Sequence, residues 1–352
     1  MKNDRMMTAV RTFAPGDIRT VKENIPRPEG RQVLCKVINA GICGTDYGIY
    51  KGELEDMVDF PVRPGHEWSG VVCEVGEDVV LYKPGDRVVG QTCIACGVCP
   101  DCRAGNRLNC ADRQSVGTVH AWPGAMCEYE LFYEGDLIPL PDEISFEQGA
   151  LIEPAGNAMM GIVMGGVGFG SSVAIMGTGP IGVAAAAIAR AYGASTVISV
   201  GRSDYKLELC KKMGATHTVN TNDEDAAQKI LEYTGGKGVD VSLEISGSKQ
   251  LLQACFKATK TGGDVEMIAF YDGKLDFDLN DFAFKLLTPR ASGCGGWGYF
   301  DRVMELMRQG RIDLTPMITH RCSLDEAAEQ TANLKQDNAK KVKVMVCMED
   351  ER

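Results

Sequence analysis

One hexapeptide, Gly177-Thr178-Gly179-Pro180-Ile181-Gly182, narrows the folds open to this chain, because of what stands on either side of it. Residues 172–176 before it are a short apolar run of strand type, and residues 181–192 after it are an alanine-rich run of helix type. A Gly-x-Gly-x-x-Gly set between strand and helix has a physical reason. The first glycine permits a tight turn, the second lets the backbone approach a pyrophosphate, and the third lets helix and strand pack closely. The pyrophosphate then meets the exposed amides of the helix N-terminus. Gly177, Gly179, Pro180, Ile181 and Gly182 are thus candidate dinucleotide contacts; the plain alternative is a glycine-rich turn of some other α/β protein.

The surrounding rhythm supports a parallel sheet. Further apolar strands are expected at 196–200, 216–220, 239–245 and 265–270, alternating with helices at 204–213, 225–233 and 249–258. Such alternation means an α/β unit with helices on both faces of a doubly wound sheet. The stretch 154–189 has no charged residue, yet repeated glycines and Pro180 break it into core-sized pieces, so no membrane span is expected. Up to about residue 150 the pattern differs: short β-type runs (33–38, 70–75, 87–89) lie between Gly, Pro and Asp turns, as in an all-β lobe with long loops. From about residue 291 come helices at 301–308 and 325–334 and a last strand at 342–347.

Fourteen cysteines in a chain of 352 residues read more naturally as clustered metal ligands than as disulfides. Cys96, Cys99, Cys102 and Cys110 are close enough in sequence to close a tetrahedron around zinc without distant help, with a local disulfide pair or redox motif as the alternative. Four thiolates leave no open position, so this site staples the loop 93–113. Cys93, three residues upstream, leaves the ligand set ambiguous by one. Isolated Cys35, Cys73, Cys210, Cys255 and Cys347 are expected to be inert apolar residues.

A second set is dispersed: Cys43 in Cys43-Gly44-Thr45-Asp46, His66 and Glu67 after Pro64-Gly65, and Glu153 before Pro154. Taken singly, each is more readily a structural residue. Together, one thiolate, one imidazole and one carboxylate leave room for water or substrate, the pattern of a catalytic zinc. Cys43 and one glutamate neutralise the ion, whereas a second carboxylate weakens it as a Lewis acid. Glu67 and Glu153 are therefore expected to trade places between the metal and its surroundings.

The end of the second strand of the α/β unit bears on the choice of cofactor. A carboxylate there binds the ribose hydroxyls and repels a 2′-phosphate. Here Gly201-Arg202-Ser203 follows Val200, so a guanidinium and a hydroxyl stand where the acid is missing, favouring NADP(H) over NAD(H). Arg202 stacking on adenine is the competing role. With 48 acidic against 37 basic residues and a net charge of −11, nucleic acid and anionic membranes are poor partners. The charged start, Met1-Lys2-Asn3-Asp4-Arg5, does not resemble a signal peptide, and a cytoplasmic location is expected.

In this order the motifs, with Pro84-Gly85-Asp86-Arg87-Val88 and Lys212-Met213-Gly214-Ala215 added, resemble the zinc-dependent medium-chain dehydrogenase/reductase family along essentially the whole chain. The resemblance implies a GroES-like β-rich catalytic domain at 1–155 with the structural zinc lobe 93–113, a Rossmann domain at 156–290, and a return segment 291–352 that completes the catalytic domain. It places the active site between the two domains and makes homodimers or homotetramers the expected assembly. Glu67 with Glu153-Pro154 is similar to the polyol, sorbitol and threonine dehydrogenases, whose substrates carry vicinal polar groups, and Gly201-Arg202 to NADP-linked ketose reductases.

The implied reaction interconverts a secondary alcohol or polyol with its ketone by hydride transfer, Thr45 passing the proton outward unless it merely caps the helix after Cys43. Two departures count against threonine as substrate: Gly48 stands where a relay histidine is common, and Cys93 where threonine dehydrogenases carry histidine. With Gly48 in place, water, Glu153, Tyr47 or Tyr50 is left to complete the proton route. A threonine dehydrogenase and a redox-inactive zinc- or nucleotide-binding protein remain the alternatives. Tyr47, Trp122, Phe270 and Trp297 are candidates to line a pocket, although core packing is the plainer role for each.

Overall fold

A computed structural model describes residues 5–271, 273–275, 279–293 and 298–348. The chain forms two compact units, one of Met1–Glu153, Ile318–Asn338 and Lys343–Arg352, the other of Pro154–Met317 and Ala339–Val342.

The first unit is built on a seven-stranded sheet. Along it run Leu137–Pro139, Arg87–Gly90, Glu67–Val75, Gln32–Ile42, Lys343–Cys347 and Ile318–Ser323, with Tyr129–Tyr133 also pairing the central Gln32–Ile42. A hairpin of Met6–Ala14 and Asp17–Asn24, not foreseen from sequence, lies beside it. The core of this unit is rich in Val, with Ala, Ile, Leu, Cys and Met, and two buried aromatics, Trp68 and Phe132, stacked at 4.6 Å between ring centroids. Gly90 is required there, because a Cβ would stand 2.5 Å from the Trp68 indole nitrogen.

Register matters more than composition at the centre of this sheet. Gly41 lies opposite Glu67, and Ile42 opposite Val344. Residues near 42, 67 and 343, far apart in sequence, therefore share one neighbourhood. Cross-strand pairs of this kind bring side chains within contact distance.

The second unit is a six-stranded, all-parallel sheet in the spatial order His217–Asn220, Thr196–Gly201, Ser172–Met176, Val239–Glu244, Thr259–Met267, Thr288–Ala291. This is the doubly wound dinucleotide-binding order, whose ligand crevice lies at the carboxyl ends of the strands where the order reverses. That point falls between Ser172–Met176 and Val239–Glu244. The helix Pro180–Ala191 starts directly after the first of these strands, with Pro180 in its first turn. Its run from Gly182 to Ala189 is buried, and small side chains there let the helix lie close to the sheet.

The boundary expected at residue 291 is displaced. Residues 291–317 belong to the second unit, and the chain re-enters the first at Ile318. The reason is packing: Thr288–Ala291 extends the parallel sheet, and the helix Phe300–Arg308 buries Phe300, Val303, Met304, Leu306 and Met307. Of the isolated cysteines, Cys35, Cys210 and Cys255 are buried, whereas Cys73 and Cys347 are half-buried. Among the described residues, no helix is long and apolar enough to cross a membrane.

Candidate metal centre and dinucleotide turn

Cys43 caps the short helix Gly44–Lys51, and the cap is made with Asp46. The Asp46 carboxylate accepts the Cys43 amide at 2.8 Å and, more weakly, the Gly65 amide at 3.4 Å, tying the Cys43 loop to the His66 loop. Thr45 therefore does not cap the helix; its hydroxyl lies 3.7 Å from the Cys43 sulfur. Glu67 is the first residue of the strand Glu67–Val75. A Cβ on Gly41 would come within 2.2 Å of Glu67 Oε2, so only glycine opposite leaves room for that carboxylate.

These elements bring one donor atom each of Cys43, His66 and Glu67 within 4.8 Å of one another. Glu153, in the first turn of the helix Ile152–Met164, is buried and acts electrostatically on His66, but it stands outside that group of three. Burial by itself depresses the His66 imidazole pKa, yet the Cys43, Asp46 and Glu153 charges raise it well above the ordinary value. Among the described residues its buried Nδ1 has no hydrogen-bond partner, and an Asp46 carboxylate oxygen is 3.8 Å away.

Sequence analysis missed Lys343. This residue is 1% exposed, its ammonium pairs with Glu67 Oε2, and it donates to Ile42 O at 3.1 Å. Burial works against the charged form, but Glu67, Cys43 and Glu153 hold its pKa above the ordinary lysine value. The available signal was a single lysine opening an otherwise apolar strand. Asp46 was passed over as well, although its spacing from Cys43 is that of a capping box.

The charges test whether a metal fits. Two cation-forming side chains, Lys343 and His66, meet four anion-forming ones, Cys43, Asp46, Glu67 and Glu153. A buried excess of negative charge is costly, and a divalent cation among thiolate, imidazole and carboxylate donors removes it, in a donor set that suits zinc.

Cys96, Cys99, Cys102 and Cys110 form the second cluster, their sulfurs also within 4.8 Å of one another and without disulfides. Backbone amides point at the sulfurs: Cys99 N to Cys96 Sγ and Cys102 N to Cys99 Sγ at 3.4 Å, and Cys96 N to Cys110 Sγ at 3.5 Å. Amides of Val98 and Cys99 draw the Cys96 thiol down to about 7, while burial and the Cys99 thiol push Cys102 up to about 12. Cys93 lies outside this group, on the two-residue strand Cys93–Ile94.

In the second unit the glycine turn has the expected form. Gly177 has φ +122°, and a Cβ on Gly182 would meet Gly177 O at 2.0 Å, so both positions demand glycine. A Cβ on Gly179 would meet nothing within 4 Å, which leaves the backbone open to a ligand on that side. Gly201 ends its strand against the Thr178 side chain. Arg202 is exposed, and Ser203 is committed elsewhere: its hydroxyl donates to Ala339 O at 2.5 Å and accepts the Lys206 amide at 3.4 Å as cap of the helix Asp204–Lys212. Of the candidate pocket residues, Trp122 packs on the first core and donates to Leu131 O, Phe270 is 78% exposed, and Trp297 lies outside the described residues.

Comparison with known proteins gives the same picture. The alcohol dehydrogenase GroES-like domain matches residues 29–142 and the zinc-binding dehydrogenase domain residues 180–309. L-threonine 3-dehydrogenase of Pyrococcus abyssi is 35% identical over 91% of this chain and 92% of its own length. A zinc-binding dehydrogenase from Sinorhizobium meliloti, solved with NADP bound, is 34% identical with TM-score 0.90, covering 97% of this chain and 99% of that one. The 2R,3R-butanediol dehydrogenase of Bacillus subtilis is 30% identical with TM-score 0.87, covering 97% and 100%. The chain belongs to the zinc-dependent medium-chain dehydrogenase family. It is thus an oxidoreductase by class.

Two outcomes test this geometry. Lys343→Met leaves the Glu67 carboxylate buried without its cation and is expected to cost about 3–5 kcal/mol in urea unfolding, much of it recovered in the double variant Lys343→Met/Glu67→Gln. Chelation of zinc should expose 93–113 to limited proteolysis, with cleavage outside that loop little changed.

Proposed function

We propose that this protein interconverts a secondary alcohol bearing a neighbouring polar group with the corresponding ketone, using a nicotinamide cofactor, with NADP(H) favoured. The observation that carries the proposal is the convergence of Cys43, His66 and Glu67 beside a buried Lys343 in a chain that also holds the dinucleotide turn. In this reading Cys43, His66 and a glutamate hold a catalytic zinc, Glu67 and Glu153 share the carboxylate role, and the four-cysteine lobe holds a structural zinc. Zinc, when bound, would polarise the alcohol oxygen and make its proton acidic near neutral pH. Asp46 orients the imidazole loop, Lys343 holds Glu67, and Thr45 takes the proton from the alcohol. Gly177, Gly179, Pro180, Ile181 and Gly182 line the pyrophosphate, and Gly201-Arg202-Ser203 faces the adenine ribose. Ser203 contributes there through its backbone, its hydroxyl being the helix cap.

A diol or polyol and L-threonine share a secondary hydroxyl beside a polar substituent, so one site chemistry serves either. The butanediol dehydrogenase of similar fold supports the first, and the Pyrococcus abyssi enzyme at 35% identity supports the second. Gly48 and Cys93, where the resemblance calls for histidines, weigh toward the diol or polyol. The intact ligand set weighs against a redox-inactive protein.

An assay of the zinc-loaded protein with butanediols, sugar alcohols, ketoses and L-threonine, each with both cofactors, separates these substrates. Turnover with a diol or polyol at least about tenfold above L-threonine in kcat/KM is expected, and Cys43→Ser should abolish it while cofactor binding persists. A preference for L-threonine overturns the substrate assignment, and retained activity in Cys43→Ser removes zinc from the mechanism. Arg202→Ala is expected to lower kcat/KM for NADPH at least about tenfold and leave NADH nearly unchanged; a parent enzyme that prefers NADH reverses the cofactor assignment.

A further inference from the structure

Position 48 lacks the histidine that would carry a proton away from Thr45, and the structure puts another group in that space. The helix Gly44–Lys51 ends at Gly52 in the left-handed conformation, φ 79°, and the chain folds straight back. Glu53 N donates to Gly48 O at 2.9 Å, and Glu53 Oε2 stands 3.1 Å from the point where a Gly48 Cβ would be. Glu53 thus fills the place of the missing side chain.

Thr45 and Gly48 are three residues apart on the helix, so they share a face with Cβ positions about 5–6 Å from each other. The Glu53 carboxylate, beside the Gly48 Cβ position, therefore stands about one helical turn from Thr45 on that face. At the other end, Thr45 Oγ1 lies 3.7 Å from Cys43 Sγ. Gly48 is buried, whereas the Glu53 side chain is 56% exposed, so the path leads from interior to solvent. Lys335 Nζ steadies the carboxylate from 3.8 Å and lies 4.7 Å from the centre of the Tyr47 ring.

We propose that Glu53 is the outer acceptor of the proton released in alcohol oxidation, doing from position 53 what a histidine at 48 would do. The inference rests on the oxidoreductase reading above. As hydride passes from the carbinol carbon to the nicotinamide, the O–H bond breaks and the C=O bond forms. The proton goes to Thr45 Oγ1, the Thr45 proton passes through water to the Glu53 carboxylate, and Glu53 releases it to solvent. Ketone reduction uses the same path inward.

The test is Glu53→Gln in the full-length, zinc-loaded protein, with Glu53→Asp as the conservative partner. The single-turnover rate of cofactor reduction should fall at least about tenfold in Glu53→Gln, with the KM for alcohol and the Kd for cofactor unchanged. Small buffer bases such as imidazole or phosphate should restore it in this variant and leave the parent unaffected, and Glu53→Asp should keep much of the rate. Adding Gly48→His to Glu53→Gln should restore the rate without added base. Zinc content and thermal unfolding should match the parent. An unchanged rate, a loss that no buffer base restores, or a fall in zinc content or melting temperature each overturns the proposal. A parent protein that oxidises no alcohol overturns the functional reading and this proposal with it.

Discussion

The first unit is organised around a buried ammonium that meets more negative charge than it can neutralise. Lys343 enters from the last strand of the chain, Glu67 from the fourth strand of the unit, and Ile42 supplies the carbonyl between them. Removing a carboxylate from water costs several kcal/mol unless it is paired and hydrogen-bonded. Here the pairing depends on register: Gly41 opposite Glu67 and Ile42 opposite Val344. A slip of one residue would turn these side chains to the other face of the sheet. The donors Cys43, His66 and Glu67 are thus positioned by strand pairing between the two ends of the chain, and the glycine at 41 is what lets the carboxylate lie flat against its neighbour.

The four-cysteine lobe solves the same electrostatic problem locally. All its sulfurs come from residues 96–110, and the amides of the loop itself supply the hydrogen bonds. A closed set of thiolates has no coordination position to offer a substrate, whereas the dispersed set has one. The chain reaches the two clusters differently, one from a single loop and the other from residues 43, 66 and 67, and the different functions proposed for them follow that difference. A local loop can only be stapled, while a site assembled across a sheet can be left open on one side.

This difference also explains what could be read in the sequence. The lobe, the glycine turn and the alternation of strands and helices are local patterns, and each was legible. Strand Ser172–Met176 lay where the apolar run placed it, and helix Pro180–Ala191 within one residue. Lys343 was passed over, although a lone lysine opened an apolar strand, because its importance comes from a partner 276 residues away. The boundary at 318 was missed because the helix Phe300–Arg308 reads the same whichever unit it packs against. Thr45 offered two roles, and only the structure, by giving the cap to Asp46, removed one of them. Ser203 went the other way: its hydroxyl was a candidate phosphate contact until the helix cap claimed it.

The Ser203 cap also bears on cofactor choice. With Gly201 ending the strand and the Ser203 hydroxyl capping the next helix, the proposed selectivity at the adenine ribose is left to positive charge. The Lys206 pKa is lowered, first by burial and then by the Arg202 guanidinium beside it. Arg202 has no carboxylate partner among the described residues, and Asp204, the nearest acid in sequence, accepts a hydrogen bond from Asn220 at 2.7 Å. Two neighbouring cations with no anion between them are a standing repulsion that a dianionic phosphate would relieve and a pair of ribose hydroxyls would not. The proposed preference for NADP(H) rests on this pair of cations at the strand end, Arg202 and Lys206, as the proposed metal site rests on the excess of negative charge around Lys343.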